Sequence, residues 1–217
     1  MAIVLLRGGG DLATGIALRL HRAGIRVLIT ELPKPLAVRR AVAFCEAVYE
    51  GTWTVEQVTA RRIGTVADAA GAFRDGVVPV LVAPDLIQHA SLDVVAVVDA
   101  RLTKYPPETD RTAAPLAVGV GPGFTAGLDC HAVVETQRGG NLGRVYWTGA
   151  AIADTATPDG DPGRVLRAPT GGVLTAHAAI GDRLAEGQNL ADVGGVPVRS
   201  PVAGVLQIGR ASCRERV

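Results

Sequence analysis

The run Arg7-Gly8-Gly9-Gly10-Asp11-Leu12-Ala13-Thr14-Gly15 has the residue types and spacing to hold a phosphate. Gly8 and Gly10, with Ala13 in third place, fit the pattern G-x-G-x-x-G/A. In it the first glycine makes a tight turn, the second lets backbone N–H groups approach a phosphate, and the third small residue packs a helix on a sheet. Asp11 and Thr14 complete the candidate loop. Glu31 follows roughly 20 residues later, where an acid accepts ribose hydroxyls. The same glycines also suit a strand-to-helix turn that binds nothing.

A second chemical block is Gly119-Val120-Gly121-Pro122-Gly123-Phe124-Thr125-Ala126-Gly127-Leu128-Asp129-Cys130-His131-Ala132-Val133-Val134-Glu135-Thr136. A strand over residues 129–136 puts Asp129, His131 and Glu135 on one face and Cys130, Ala132, Val134 and Thr136 on the other. Asp129, His131 and Glu135 are candidates for acid/base catalysis, with the imidazole titrating near neutrality. The competing reading is a surface hairpin whose polar face meets water, turned by Arg138-Gly139-Gly140-Asn141 into a strand over residues 144–147. Arg39 and Arg40, near a helix start, either meet phosphate oxygens or form a solvated basic face.

The elements that would carry these residues alternate through the first hundred positions. Apolar runs at residues 3–6, 27–30, 77–82 and 94–99 read as strands, and residues 12–23 and 67–73 read as helical. Runs of Val and Leu without polar alternation suit strands buried on both faces of a parallel sheet. The expected fold class is α/β, with a Rossmann-like parallel sheet over residues 1–111 and a β-rich glycine loop and hairpin over residues 112–163.

Composition bounds the rest. At 217 residues and 48% hydrophobic, the chain can bury on the order of 70% of its unfolded surface. The first residues are too short and uncharged for a secretory leader, and no apolar stretch reaches a membrane span, so the expectation is a soluble cytoplasmic protein. Cys45, Cys130 and Cys213 are too widely spaced for a disulfide framework or a metal knuckle, and no metal ligand set is read. Residues 208–217 look like a translated sequencing adapter and are set apart as a non-native tail. Without that tail's three Arg and one Glu, 22 basic and 21 acidic residues become 19 and 20. That balance gives no reason to expect nucleic acid as a partner.

Residues 166–174 (LRAPTGGVL) and 198–206 (VRSPVAGVL) form an internal repeat, with Arg, Pro, Gly, Val and Leu identical. The repeat resembles the half-hammerhead of biotinyl and lipoyl carrier domains. Those carriers hold their cofactor on a lysine between the repeats, and Val193-Gly194-Gly195-Val196-Pro197 has none. A packing or docking module is therefore expected over residues 164–207, as a partial barrel-sandwich hammerhead.

Residues 7–15, the block from Gly119 to Thr136, the stretch Asn141-Leu142-Gly143-Arg144-Val145 and the terminal repeat together resemble one family. It is the selenium-dependent molybdenum hydroxylase system protein family of the YqeB type. Lys34-Pro35 with Arg39-Arg40 and Ala47-Val48-Tyr49-Glu50-Gly51 extend the resemblance along the chain. Gly140 departs from it, since a histidine often stands there, and members usually continue beyond Gln207. The resemblance implies an accessory or maturation protein that acts on a molybdenum hydroxylase or its maturation machinery. Its ligand would be a nucleotide, a dinucleotide or the nucleotide portion of a molybdenum cofactor. Two other classes remain open: an NAD-dependent oxidoreductase with His131 as acid/base, and a scaffold that binds only the hydroxylase.

Overall fold

The computed structural model describes residues 2–86, 88–103, 108–154 and 165–206. The chain divides into two compact units, one made of Met1–Ala37 and Val42–Thr155, the other of Val38–Ala41 and Ala156–Val217. The adapter-like residues 208–217 lie outside the described residues. Among the described residues no helix is long and apolar enough to cross a membrane.

The first unit is mixed α/β, with a large, mostly parallel sheet and few helices. Its elements are β1 (Ala2–Arg7), α1 (Asp11–Arg22), β2 (Val27–Glu31), α2 (Ala47–Glu50), β3 (Thr52–Val55), β4 (Val58–Ile63), α3 (Ala69–Arg74), β5 (Val78–Val82), β6 (Asp93–Asp99), β7 (Leu116–Val120), β8 (Thr125–Ala126), β9 (Ala132–Val134), β10 (Val145–Tyr146) and β11 (Gly149–Ala150). Nine strands form one sheet in the order β10-β9-β7-β6-β1-β2-β5-β4-β3. Only the two edge pairs, β3 with β4 and β9 with β10, run antiparallel within it.

The unbroken apolar runs form the centre because both of their faces are covered. Val4, Leu6, Val27, Ile29, Val78 and Val80 pack with Ala13, Ala17 and Leu18 of α1. Their neighbours Ile3, Leu5, Leu28, Leu81 and Val97 pack instead with Ala69 and Ala72 of α3. The split between odd and even positions is the period of two expected of strands. Helix α1 carries Asp11 in its first turn and Arg19, His21 and Arg22 in its last, as its dipole favours. It ends where Gly24 takes a φ of +76°, and the Gly24 and Ile25 amides close back on His21 and Leu20.

Two features depart from the sequence expectations. The sheet does not stop at Arg111: β7 continues it, parallel to β6 with Ala96 beside Leu116, and β9 follows β7. The polar stretch around Arg111 joins neighbouring strands of one sheet and divides no domains. The strand expected over residues 129–136 shrinks to Ala132–Val134. Residues 127–129 are a turn that returns Cys130 to bridge Ala126.

The second unit contains β12 (Leu174–Ala176), β13 (Arg183–Leu184), β14 (Asn189–Val193), β15 (Val196–Arg199) and β16 (Gly204–Val205). They form a three-stranded sheet, β12-β14-β15, and the pair β13-β16. Leu166 and Leu174 of the first repeat and Val198 and Leu206 of the second pack on the same small core of Leu184, Leu190 and Ala191. The two copies therefore supply matching side chains to one interior.

Candidate functional site

Strands β2, β5, β4 and β3 lie on one side of β1, and β6, β7, β9 and β10 on the other. The order reverses between β1 and β6, and in open α/β sheets ligands sit outside the carboxyl ends of the strands at such a reversal. The glycine turn leaves β1 there. The Gly8 amide donates to the Thr30 carbonyl at 2.9 Å. Gly8 has φ +91°, and a Cβ on it would lie 3.2 Å from Arg101 Cα, so both backbone conformation and space require glycine. Gly9 is as crowded, with Cys45 N 3.0 Å from a Cβ built on it. A Cβ built on Gly10 would meet nothing within 4 Å.

The turn is braced from inside. The Gly9 amide donates to Glu31 Oε2 at 2.7 Å, and the Leu32 amide to Glu31 Oε1 at 2.7 Å. Thr14 Oγ1 donates to the Gly10 carbonyl at 2.8 Å and accepts the Phe44 amide at 2.8 Å. The Cys45 amide donates to the Gly9 carbonyl at 2.9 Å. Ala13 is fully buried on the sheet and Asp11 stands half-exposed at the helix start. The backbone N–H groups of Gly10, Leu12 and Ala13 have no acceptor among the described residues. They are the donors a helix start leaves unpaired, and they suit an anion. Gly8, Gly10, Asp11, Ala13, Thr14 and Glu31 are thus one local assembly, with Glu31 holding the Gly9 amide.

Sequence reasoning missed the charged cluster beside this turn. Arg7 ends β1 and Asp99 ends β6, paired in register. Both are about 1% exposed, and Arg7 Nη1 stands 3.3 Å from Asp99 Oδ2. Arg7 also donates to the Thr109 hydroxyl and, at 2.9 Å, to the Pro84 carbonyl. Thr109 donates to Asp99 at 2.6 Å, and Arg101 Nη2 reaches Asp99 Oδ2 at 2.7 Å. Burial pushes the Asp99 carboxyl up, but hydrogen bonds from Arg101 and Thr109 and the nearby arginine charges outweigh it and hold it below its ordinary value. Burial, helped by the Arg101 charge, lowers the Arg7 pKa. Arg101 moves the other way: burial opposes its charge, yet the bonds and charge of Asp99 raise its pKa. Arg7 Nε and Thr30 Oγ1, neighbours across β1 and β2, are buried without a hydrogen-bond partner. The available signal was a charged residue closing each of two adjacent apolar strands.

The trio Asp129, His131 and Glu135 does not assemble. Asp129 Oδ2 accepts the Thr125 amide at 2.9 Å, and His131 Nδ1 accepts the Ala117 amide at 3.0 Å. Glu135, 1% exposed, accepts the amides of Thr136, Gln137 and Ile152, each at 2.8 Å. Burial raises the Glu135 carboxyl, and the three amide bonds outweigh it and leave it below its ordinary value. No hydrogen bond or ion pair joins the three side chains to one another. Asp129 closes its own turn, His131 holds Ala117 of β7 and Glu135 holds Ile152, and the turn at residues 127–129 removes the alternation that would have put Asp129 on a face with the other two.

Among the described residues no group of three or more His, Cys, Asp and Glu side chains is placed to hold a metal ion. A cleft of about 160 Å³, lined by His21, Arg26, Val27, Phe73 and Val78, opens at the amino ends of β2 and β5, away from the glycine turn.

The chain is similar to the uncharacterized protein YqeB of Escherichia coli (strain K12), with 41% identity over 209 residues. The match takes in 94% of this chain and 39% of the relative, so the chain spans about two-fifths of the curated protein it matches. No family model matches the chain. No solved structure matches it.

Proposed function

We propose that the first unit is a Rossmann-like nucleotide-binding module, and that the protein serves as an accessory or maturation factor of a selenium-dependent molybdenum hydroxylase system. The observation that carries the binding half is the set of unpaired amides of Gly10, Leu12 and Ala13 at the strand-order reversal, with open space beside Gly10. A phosphate accepts from those amides, and the start of α1 favours its charge. Glu31 keeps the turn in shape and lies at the strand end where ribose hydroxyls are accepted in such modules. The hydroxylase half rests on the family resemblance of the loop, the middle block and the terminal repeat. The second unit, read as a half-hammerhead without a carrier lysine, has a docking role.

His131 Nδ1 accepts the Ala117 amide, and neither Asp129 nor Glu135 hydrogen-bonds its ring, so the three residues do not support one another in the acid/base role an oxidoreductase would need. Mass spectrometry of ligand retained by freshly purified protein tests the binding half, and a bound nucleotide is the expected result. Calorimetry is expected to favour NAD over NADP, because Glu31 repels a 2′-phosphate. Hydroxylase activity and its molybdenum and selenium content, compared with and without this protein, test the other half. Normal values without it overturn the maturation role, and turnover of a nicotinamide cofactor with a small substrate would replace it with an oxidoreductase.

A further inference from the structure

We infer that Arg101 is a ligand for a nucleoside diphosphate held in reserve by Glu108: an incoming diphosphate takes the guanidinium edge that Glu108 now occupies, while Asp99 keeps the rest of the side chain in place. The inference rests on the reading that the glycine turn binds a nucleotide, and it names a further residue of that site.

The stem of Arg101 lies on the turn itself. A Cβ built on Gly8 would stand 3.2 Å from Arg101 Cα and 3.3 Å from its Cγ. The next residue, Leu102, has φ +55°, a left-handed conformation costly for a leucine, and its Cδ2 fills the space above Gly121, 2.7 Å from where a Cβ would be. Arg101 is thus held with its stem against the loop.

The two carboxylates on its guanidinium are unequal. Asp99 receives Nε at 3.0 Å and Nη2 at 2.7 Å, and its side chain is 2% exposed and fixed from behind by Arg7 and Thr109. That forked contact does not yield to solvent. Glu108 receives Nη1 at 3.1 Å and lies 3.7 Å from Arg7 Nη2, but its side chain is 73% exposed. Such an exposed pair is worth about 0–1 kcal/mol, so a competing anion displaces it readily. Arg101 is itself 21% exposed at the side chain. Arg7 and Arg101 are faced by Asp99, Glu108 and Asp85, so swinging Glu108 aside removes one of the three acidic charges that oppose an incoming anion. Arginine presents the donors that two phosphate oxygens match, which a lysine cannot reproduce.

The test is calorimetric titration of the full chain with adenosine diphosphate and with adenosine, alongside melting temperature. Arg101→Lys keeps a charge opposite Asp99 and is expected to weaken adenosine diphosphate by about tenfold, the effect of losing one charge-assisted contact. Glu108→Gln is expected to tighten it several-fold. Adenosine affinity stays unchanged in both, which a merely structural role for Arg101 would not produce. If wild type binds adenosine diphosphate and both variants bind it equally well, the Arg101 inference is overturned while the reading of the turn survives. If wild type binds no nucleotide, both fall. Should Arg101→Lys fail to fold, Glu108→Gln decides alone: tighter binding supports the inference and unchanged binding overturns it.

Discussion

Two glycine-rich turns leave the same edge of the sheet, at residues 8–10 after β1 and residues 121–127 after β7, and they need glycine for different reasons. At the first, Gly8 and Gly9 are packed against Arg101 and Cys45 while Gly10 faces open space and three amides remain unpaired. Around the second, a Cβ on Gly119 would overlap the Phe124 ring at 2.2 Å, and one on Gly121 would meet Leu102 and Thr136 within 2.8 Å. The nearby polar groups, Asp129, His131 and Glu135, are already bonded to backbone amides. A glycine-rich stretch therefore marks close packing as readily as ligand approach. What separates the two is whether donors are left over once the fold has closed.

The sharpest way to break this contrast is at Glu135. Glu135→Ala removes three hydrogen bonds to a charged acceptor, and at about 1.5–3 kcal/mol for each such bond the loss should reach at least about 3 kcal/mol. Chemical denaturation measures it. A stability loss below about 1 kcal/mol would mean the carboxylate is free for other work.

Next in size is a pair of glycine substitutions. Gly119→Ala drives a methyl into Phe124 and should cost about 1–3 kcal/mol or more by overpacking. Gly10→Val enters open space at an ordinary φ of −66°, so it should change stability by no more than about 0.5 kcal/mol. The same valine shields the turn and should abolish nucleotide affinity in calorimetry. Undisturbed binding in Gly10→Val would remove the first turn from the site and erase its difference from the second.

Acid sharpens the comparison further. Asp99 beside the first turn and Glu135 beside the second both have depressed pKa values, from ordinary values of 3.8 and 4.5. Each contributes stability that is complete above its ordinary value and is lost as pH falls through the lower folded value. Melting temperatures of wild type and Glu135→Gln should therefore differ most near neutrality and converge as pH drops below 4.5. A gap that holds constant into strong acid would contradict the buried-acceptor role.

The smallest effect is expected at His131. Its ring accepts one amide, so His131→Gln should cost about 1 kcal/mol or less and leave nucleotide affinity as it was. Loss of function without loss of stability would restore the catalytic trio.

Local pattern was enough where a residue's role depends on its neighbours along the chain. The strands at residues 3–6, 27–30, 77–82 and 94–99, helix α1 and the turn that opens it were legible, because buried parallel strands and an amphipathic helix write their periods directly into apolar spacing. The hairpin of β3 and β4 was not, since its turn places Glu56 and Gln57 at positive φ without the Asn or Gly that signals such a turn. The repeat at residues 166–174 and 198–206 was visible as identity, but its shared core on Leu184 and Leu190 needed three dimensions.

By itself the sequence determined that this chain begins with a strand, a glycine turn and a helix, and that its central strands are apolar on both faces. Tertiary structure alone decided the rest of the site. Arg7, Asp99, Arg101, Glu108 and Thr109 meet only because β6 lies beside β1, a pairing between residues more than 90 positions apart that no local period encodes. Tertiary structure likewise separated Asp129, His131 and Glu135, because the turn at residues 127–129 interrupts the alternation that would have aligned them and gives each side chain a different backbone amide to hold.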